Sequence, residues 1–301
     1  MKIYSNILET IGSTPIVKIN SLNSDNIFVK LEYFNPASSI KDRPAYNILK
    51  AALDRGEINK DTVIIEATSG NMGIGLALAS SVLGLKFIAV MPESMSIERR
   101  KILKAYGAEV VLTSANGGMK ECLDVVSSLQ EKYPNSYLTK QFENPDNPYA
   151  HYAGTAQEIF EQTDGKVDVV VSTIGTGGTI VGISKKLKEL KPDIKIIGIE
   201  ADESPLLTKG YSAPHKIQGI SANFVPKILD LSLIDEIITV KGDDAISSAR
   251  YFAKNEGILT GYSGGAVLSS LDMLSKKYEN KMIVGILPDS GERYLSGELY
   301  E

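Results

Sequence analysis

From residue 62 onward, short runs of β-branched residues alternate with longer stretches whose apolar positions recur with helical period. TVIIE (62–66), KFIAVM (86–91), EVVLT (109–113), VDVVVS (167–172), KIIGI (195–199) and MIVGIL (282–287) are apolar with little alternation. Such runs read as strands of parallel sheets covered on both faces. GIGLALASSVLG, SIERRKILKAYGA, GGTIVGISKKLKEL and DDAISSARYFAKNEG fill the intervals and predict helices. The alternation predicts an α/β fold with twisted, mostly parallel sheets flanked by helices. The Asn- and Pro-rich stretch 143–148 (ENPDNP) breaks the rhythm and is the predicted domain crossing, and a second irregular stretch covers 201–228.

The length of 301 residues predicts two domains, at roughly 150 residues each. With 43% apolar and 23% charged residues the composition is that of a soluble globular chain. A net charge of −5, with lysines scattered and not gathered in a basic run, argues against a nucleic-acid partner. Cys122 is the single cysteine, and His151 and His215 lie far apart, so neither an internal disulfide nor a metal site is expected. MKIYSNILETIG lacks the apolar core of a signal peptide, and no run reaches the ~18 apolar residues of a membrane helix. A cytoplasmic protein is expected.

In open parallel sheets ligands sit beyond the carboxyl ends of strands, so the loops there carry the chemistry. ATSGNMG (67–73) joins a predicted strand to a helix opening at about Gly73. Its small residues let backbone amides and the Thr68, Ser69 and Asn71 side chains meet an anion at a helix N-terminus. IGTGGTI (174–180) offers a nest of glycine amides flanked by Thr176 and Thr179, suited to a phosphate. It also imitates a dinucleotide fingerprint: Gly175 and Gly177 begin a G-x-G, and the next strand ends in Glu200. Ile180 stands where the third glycine belongs, which counts against a dehydrogenase. In EGILTGYSGGA (256–266), Gly261, Gly264 and Gly265 frame Ser263, with a helix resuming at about Ala266; as an isolated feature Ser263 reads equally as an N-cap.

SSIKDR (38–43) sets Lys41 between hydroxyls and an Asp-Arg pair. A lysine, two anion cradles and a glycine-framed serine are the parts that pyridoxal 5′-phosphate requires to act on an amino acid. With these stretches stand IGSTPIVKIN (11–20), LEYFNPASSIKDR (31–43), MPESMSIERRKILKAYGAEV (91–110), QFENPDNP (141–148), HKIQGI (215–220) and LPDSGERYLS (287–296). In their order and spacing they resemble the cysteine synthase and cystathionine β-synthase family of pyridoxal-phosphate enzymes, which shares its fold with the tryptophan synthase β chain.

The resemblance implies a smaller, mobile, substrate-carboxylate-binding domain over 37–145 and a larger cofactor-phosphate-binding domain over 1–36 and 146–301. It assigns Lys41 the covalent link to pyridoxal 5′-phosphate and the proton transfer at Cα. Asn71 takes the cofactor's 3′ oxygen; Gly175, Thr176, Gly177, Gly178 and Thr179 take its phosphate; Ser263 meets its ring nitrogen. Thr68, Ser69, Asn71 and Gln141 take the substrate carboxylate, with Met72 beside them. Ser290 matches a family motif without an assigned role. The implied reaction is β-replacement through an aminoacrylate: O-acetyl-L-serine and sulfide give L-cysteine.

Two positions depart from the cysteine synthase pattern. Met72 replaces a threonine and resembles β-cyanoalanine synthases, which accept L-cysteine as donor and release hydrogen sulfide; lanthionine, cystathionine or another thioether would then be the product. Asn223, in SANFVP, stands where that pattern is GAGFIP, and reads either as a polar group at the mouth of the site or as a loop residue facing water. The alternative of another class is an inactive relative that binds serine acetyltransferase. A homodimer is the expected assembly.

Overall fold

The computed structural model describes residues 3–22, 24–68 and 70–301. In chain order the elements are β1 (Ile16–Lys18), β2 (Ile27–Leu31), α1 (Asp42–Asp54), β3 (Val63–Ala67), α2 (Asn71–Leu83), β4 (Lys86–Pro92), α3 (Ile97–Ala105) and β5 (Glu109–Thr113). There follow α4 (Gly118–Lys132), β6 (Ser136–Leu138), α5 (Asp146–Ala150), α6 (Ala156–Gln162), β7 (Val169–Thr173), α7 (Gly178–Leu190), β8 (Lys195–Ala201) and α8 (Leu206–Lys209). The chain closes with β9 (Glu236–Val240), α9 (Gly242–Glu256), α10 (Tyr262–Lys277) and β10 (Ile283–Leu287).

Two compact units result. One comprises Lys41–Asp146 with the N-terminal stretch ending at Ile11; the other comprises Gly12–Ile40 and Asn147–Glu301. The first is built on a four-stranded sheet in the order β5-β4-β3-β6, all strands parallel. Ile65, Ile88, Val90, Cys122 and Val126 form an apolar layer between this sheet and α4. Cys122 is a buried free thiol against the Thr113 hydroxyl (3.3 Å), so it behaves as a small core residue.

The second unit carries a six-stranded sheet in the order β1-β2-β10-β7-β8-β9. Only the β1–β2 pair is antiparallel. One face packs Val169, Val171, Ile197 and Ile199 against α9 and α10; the other packs Val170, Ile196, Val284 and Ile286 against α6 and α7. Burial on both faces explains why β7, β8 and β10 read as continuous apolar runs.

The six strands expected from sequence are present. β2 escapes the pattern because Lys30 interrupts its apolar run. That lysine is fully buried, with Nζ 2.8 Å from Glu158, 2.9 Å from Gln162 Oε1 and 3.0 Å from the Thr14 carbonyl. A buried ammonium so enclosed stands in a strand interior at no unmet cost.

Candidate active site

In the first unit the candidate residues gather at the carboxyl end of β3. Lys41 occupies the N-cap position of α1, half-buried, with its carbonyl accepting the Ala45 N–H (3.0 Å). The side chain therefore springs from the positive end of a helix, next to the buried Asp42 and Arg43. The start of α2 comes shortly after Thr68, whose N–H donates to the Val90 carbonyl at 3.0 Å.

Gly70 is the N-cap of α2 and Asn71 its first residue, two positions earlier than the sequence predicted. The shift puts Asn71 among the unsatisfied amides of the first turn, where an anion is best received. Gly73 packs directly against Thr68: a β-carbon there would lie 2.8 Å from Thr68 Cγ2. Met72 is 2% exposed and buried in the first turn of α2. Ser69 lies outside the described residues.

Gln141 follows β6 and reaches back toward β3, with Nε2 3.5 Å from Glu66 Oε1. The Glu66 carboxylate also accepts from the Thr139 hydroxyl (2.7 Å), and the amides of Lys140, Gln141 and Thr139 face it. Burial pushes the Glu66 carboxyl above the ordinary range, and these donors pull it back only in part. Sequence reading missed Glu66; the available signal was an acid closing an otherwise apolar strand.

In the second unit, the loop Ile174–Gly177 leaves β7 and α7 opens at Gly178, so a helix N-terminus faces outward at the carboxyl end of that strand. Its glycines are required by their neighbours. A β-carbon would lie 2.5 Å from the Gly219 carbonyl at Gly175, 2.9 Å from Leu229 Cδ1 at Gly177 and 2.1 Å from Asn147 Oδ1 at Gly178. Gly177 also has φ +86°, a left-handed conformation that glycine adopts without cost.

Thr176 and Thr179 are held on either side: Asn147 Nδ2 donates to Thr176 Oγ1 (3.2 Å), and Thr179 Oγ1 lies 3.3 Å from Nε2 of the buried His151. The nest of amides with two fixed hydroxyls suits a phosphate. Glu200, the acid that imitated a ribose ligand, is buried with its carboxylate accepting from the Leu207 and Thr208 amides (2.9 Å each) and the Thr208 hydroxyl (2.5 Å). It is committed to the start of α8, which removes the dinucleotide reading.

Ser263 is the second residue of α10, and Gly261 takes the N-cap, so Ser263 is not the cap its sequence allowed. The helix starts beyond the carboxyl end of β10, where Thr260 bridges to Ser290. As β10 neighbours β7, Ser263 and the Gly175–Thr179 loop lie at the same edge of one sheet. Ser290 caps a short 3₁₀ turn, accepting the Glu292 N–H. Asn223 is an exposed loop residue. Ser39 and Ile40, the two residues before Lys41, run along the same β10 end, with the Ile40 N–H donating to the Pro288 carbonyl (2.8 Å). Among the described residues no group of His, Cys, Asp or Glu is placed to hold a metal, and no helix is long and apolar enough to cross a membrane.

Residues 7–289 match the sequence model of the family described as pyridoxal-phosphate dependent enzyme. The chain belongs to that family. Along its full length the enzyme is 49% identical to cysteine synthase B of Campylobacter jejuni, over 300 residues and all of both chains. It superposes on the crystal structure of cysteine synthase from Entamoeba histolytica with a TM-score of 0.96 and 45% identity, covering 99% of this chain and 91% of that one. A hydrogen sulfide-producing enzyme from Fusobacterium nucleatum is similar at a TM-score of 0.92 and 46% identity, covering 97% of this chain and 100% of that one. The fold is thus that of the cysteine synthases and the cofactor is pyridoxal phosphate.

Proposed function

We propose that this enzyme carries out pyridoxal-phosphate-dependent β-replacement on a serine- or cysteine-type amino acid, converting O-acetyl-L-serine and sulfide into L-cysteine and acetate. The observation that carries the reading is the end-to-end similarity to enzymes named cysteine synthase. The chain's own glycine-rich helix start suits the cofactor's phosphate, since a β-carbon at Gly175, Gly177 or Gly178 would collide with Gly219, Leu229 or Asn147 and displace the loop that presents the amides.

When bound, pyridoxal phosphate supplies an electron sink for charge developing at the donor's α-carbon. Gly175 to Thr179 would bind its phosphate, Asn71 its 3′ oxygen, and Ser263 its ring nitrogen. The Ser263 hydroxyl is neutral, so the ring nitrogen meets no carboxylate that would hold it protonated. Lys41 would hold the cofactor covalently, and its amine, when free, would move the proton at the donor's Cα. Thr68, Ser69, Asn71 and Gln141 bind and orient the donor through its carboxylate. The same reading implies a cytoplasmic homodimer and serine acetyltransferase as the partner, testable by light scattering with and without the transferase.

A second donor, L-cysteine, is favoured by one residue: Met72 removes the hydroxyl that a threonine would offer an oxygen-bearing donor. A sulfide electrode tests both routes. With O-acetyl-L-serine sulfide is consumed; with L-cysteine and a thiol acceptor sulfide is released. Absence of both overturns the proposal.

A further inference from the structure

The parallel register sets Val63, Ile64 and Ile65 of β3 opposite Ser136, Tyr137 and Leu138 of β6. The ladder stops there, so the next residues, Glu66 and Thr139, meet at its end. Beyond Leu138 the amides have no strand to bond. Lys140 turns into the left-handed region (φ +48°), which brings the Thr139 hydroxyl (2.7 Å) and Gln141 Nε2 (3.5 Å) onto the Glu66 carboxylate with the amides of 139–141 facing it. Successive amides so arranged form a nest, ordinarily a site for an external anion.

Here the anion is part of the chain. The Thr139 hydroxyl adds a bond at 2.7 Å, and the turn is closed from outside by the Glu143 and Asn144 amides, both donating to the Lys140 carbonyl (2.8 and 2.9 Å). Glu66 is 7% exposed. One residue separates it along the chain from Thr68.

We infer that Glu66 is a positioning residue for the substrate carboxylate: its buried side chain fixes the turn that carries Gln141 beside the Thr68–Asn71 loop. This rests on the proposed role of Thr68, Asn71 and Gln141 in binding that carboxylate. Glu66 itself does not touch the donor. A glutamine in its place has the same shape but presents an amide NH₂ to amides that also donate, so the nest loses an acceptor and Gln141 its fixed place. Aspartate keeps the charge one methylene short and restores part of the function.

The test measures affinity for L-alanine, a non-reacting amino acid, and for ethylamine, which lacks the carboxylate, by the absorbance change of the holoenzyme. Glu66→Gln is expected to weaken L-alanine by about tenfold, the worth of one to two hydrogen bonds. Ethylamine binding stays unchanged, and Glu66→Asp falls between. The KM for the amino-acid donor rises in step, with a much smaller fall in kcat. If Glu66→Gln does not fold, Thr139→Val, which removes the 2.7 Å bond, decides the question by the same selective loss.

Gln141→Ala separates the two readings. If it leaves L-alanine affinity intact, the assignment of the carboxylate site fails. If it weakens L-alanine while the Glu66 and Thr139 variants do not, or weaken both ligands equally, the inference about Glu66 alone is overturned.

Discussion

Gly75 of α2 stands against the backbone of Lys41: a β-carbon there would lie 3.0 Å from the Lys41 carbonyl oxygen and 2.9 Å from Ala45 Cβ. The close approach of α2 to the start of α1 thus sets where the lysine emerges. In an ordinary helix interior, Gly→Ala gains about 0.5–1 kcal/mol. Here overpacking, at about 1–3 kcal/mol, outweighs that gain. Gly75→Ala is expected to lower the melting temperature and slow attachment of added pyridoxal phosphate at Lys41, followed by borohydride reduction and peptide mapping. A melting temperature at or above wild type contradicts the contact.

Tyr300 pins the backbone just before Ser263. Its hydroxyl donates to the Thr260 carbonyl (2.6 Å) and accepts the Thr260 N–H (3.1 Å), three residues before Ser263. Burial pushes the phenol up to about 12, so it stays neutral at any working pH. Tyr300→Phe leaves both Thr260 groups without this partner and is expected to cost about 1–3 kcal/mol, read from urea unfolding. No change in the unfolding midpoint would show that Tyr300 does not hold the loop.

Asp168 joins three elements where β7 begins. Its carboxylate accepts from Lys191 Nζ and the Met282 amide (2.9 Å each), and Lys281 Nζ stands 3.8 Å away. Partial burial pushes the carboxyl up, but the amide and the two ammonium groups outweigh it, leaving it below the ordinary 3.8. The folded state therefore favours the ionised form, and this contribution is present above the unfolded value and lost as pH falls through the lower folded one. Asp168→Asn is expected to lose about 1 kcal/mol at neutral pH, with the gap to wild type closing in acid. An equal gap at neutral and acid pH contradicts it.

Strands buried on both faces announced themselves as apolar runs, and the glycine-rich loops announced tight helix starts at strand ends. What the sequence concealed depends on partners distant in the chain. β2 was hidden by Lys30, whose burial is intelligible only beside Glu158 and Gln162. β9 is a half-buried edge strand just past the irregular stretch, and β6 is three residues long. The helix starts at Asn71 and Tyr262 come earlier than glycine-rich sequence suggests, because the glycines within them are there for close packing, Gly73 on Thr68, Gly264 on Thr260 and Gly265 on Ala245 and Ala249 of α9. Glu66 was invisible for a like reason: its nest forms only when Thr139 to Gln141 return beside β3.

On the proposed function, Met72 is the residue that sets the balance of donors. Replacing it by threonine restores one hydroxyl, worth about 0.5–1.5 kcal/mol, or roughly three- to tenfold in relative use of an oxygen-bearing donor. Met72→Thr is therefore expected to raise the ratio of O-acetyl-L-serine use to L-cysteine use. The side chain is buried, so stability falls as well. The ratio is taken within one variant and is insensitive to that loss; an unchanged ratio removes Met72 as the determinant.

The most direct test of β-replacement at Lys41 follows the sulfur atom. Purified enzyme loaded with pyridoxal phosphate is given O-acetyl-L-serine and isotopically labelled sulfide, and the products are resolved by mass spectrometry beside a Lys41→Ala control. Labelled L-cysteine from wild type and none from the variant is the predicted result. No labelled cysteine from wild type, or as much from Lys41→Ala, contradicts it.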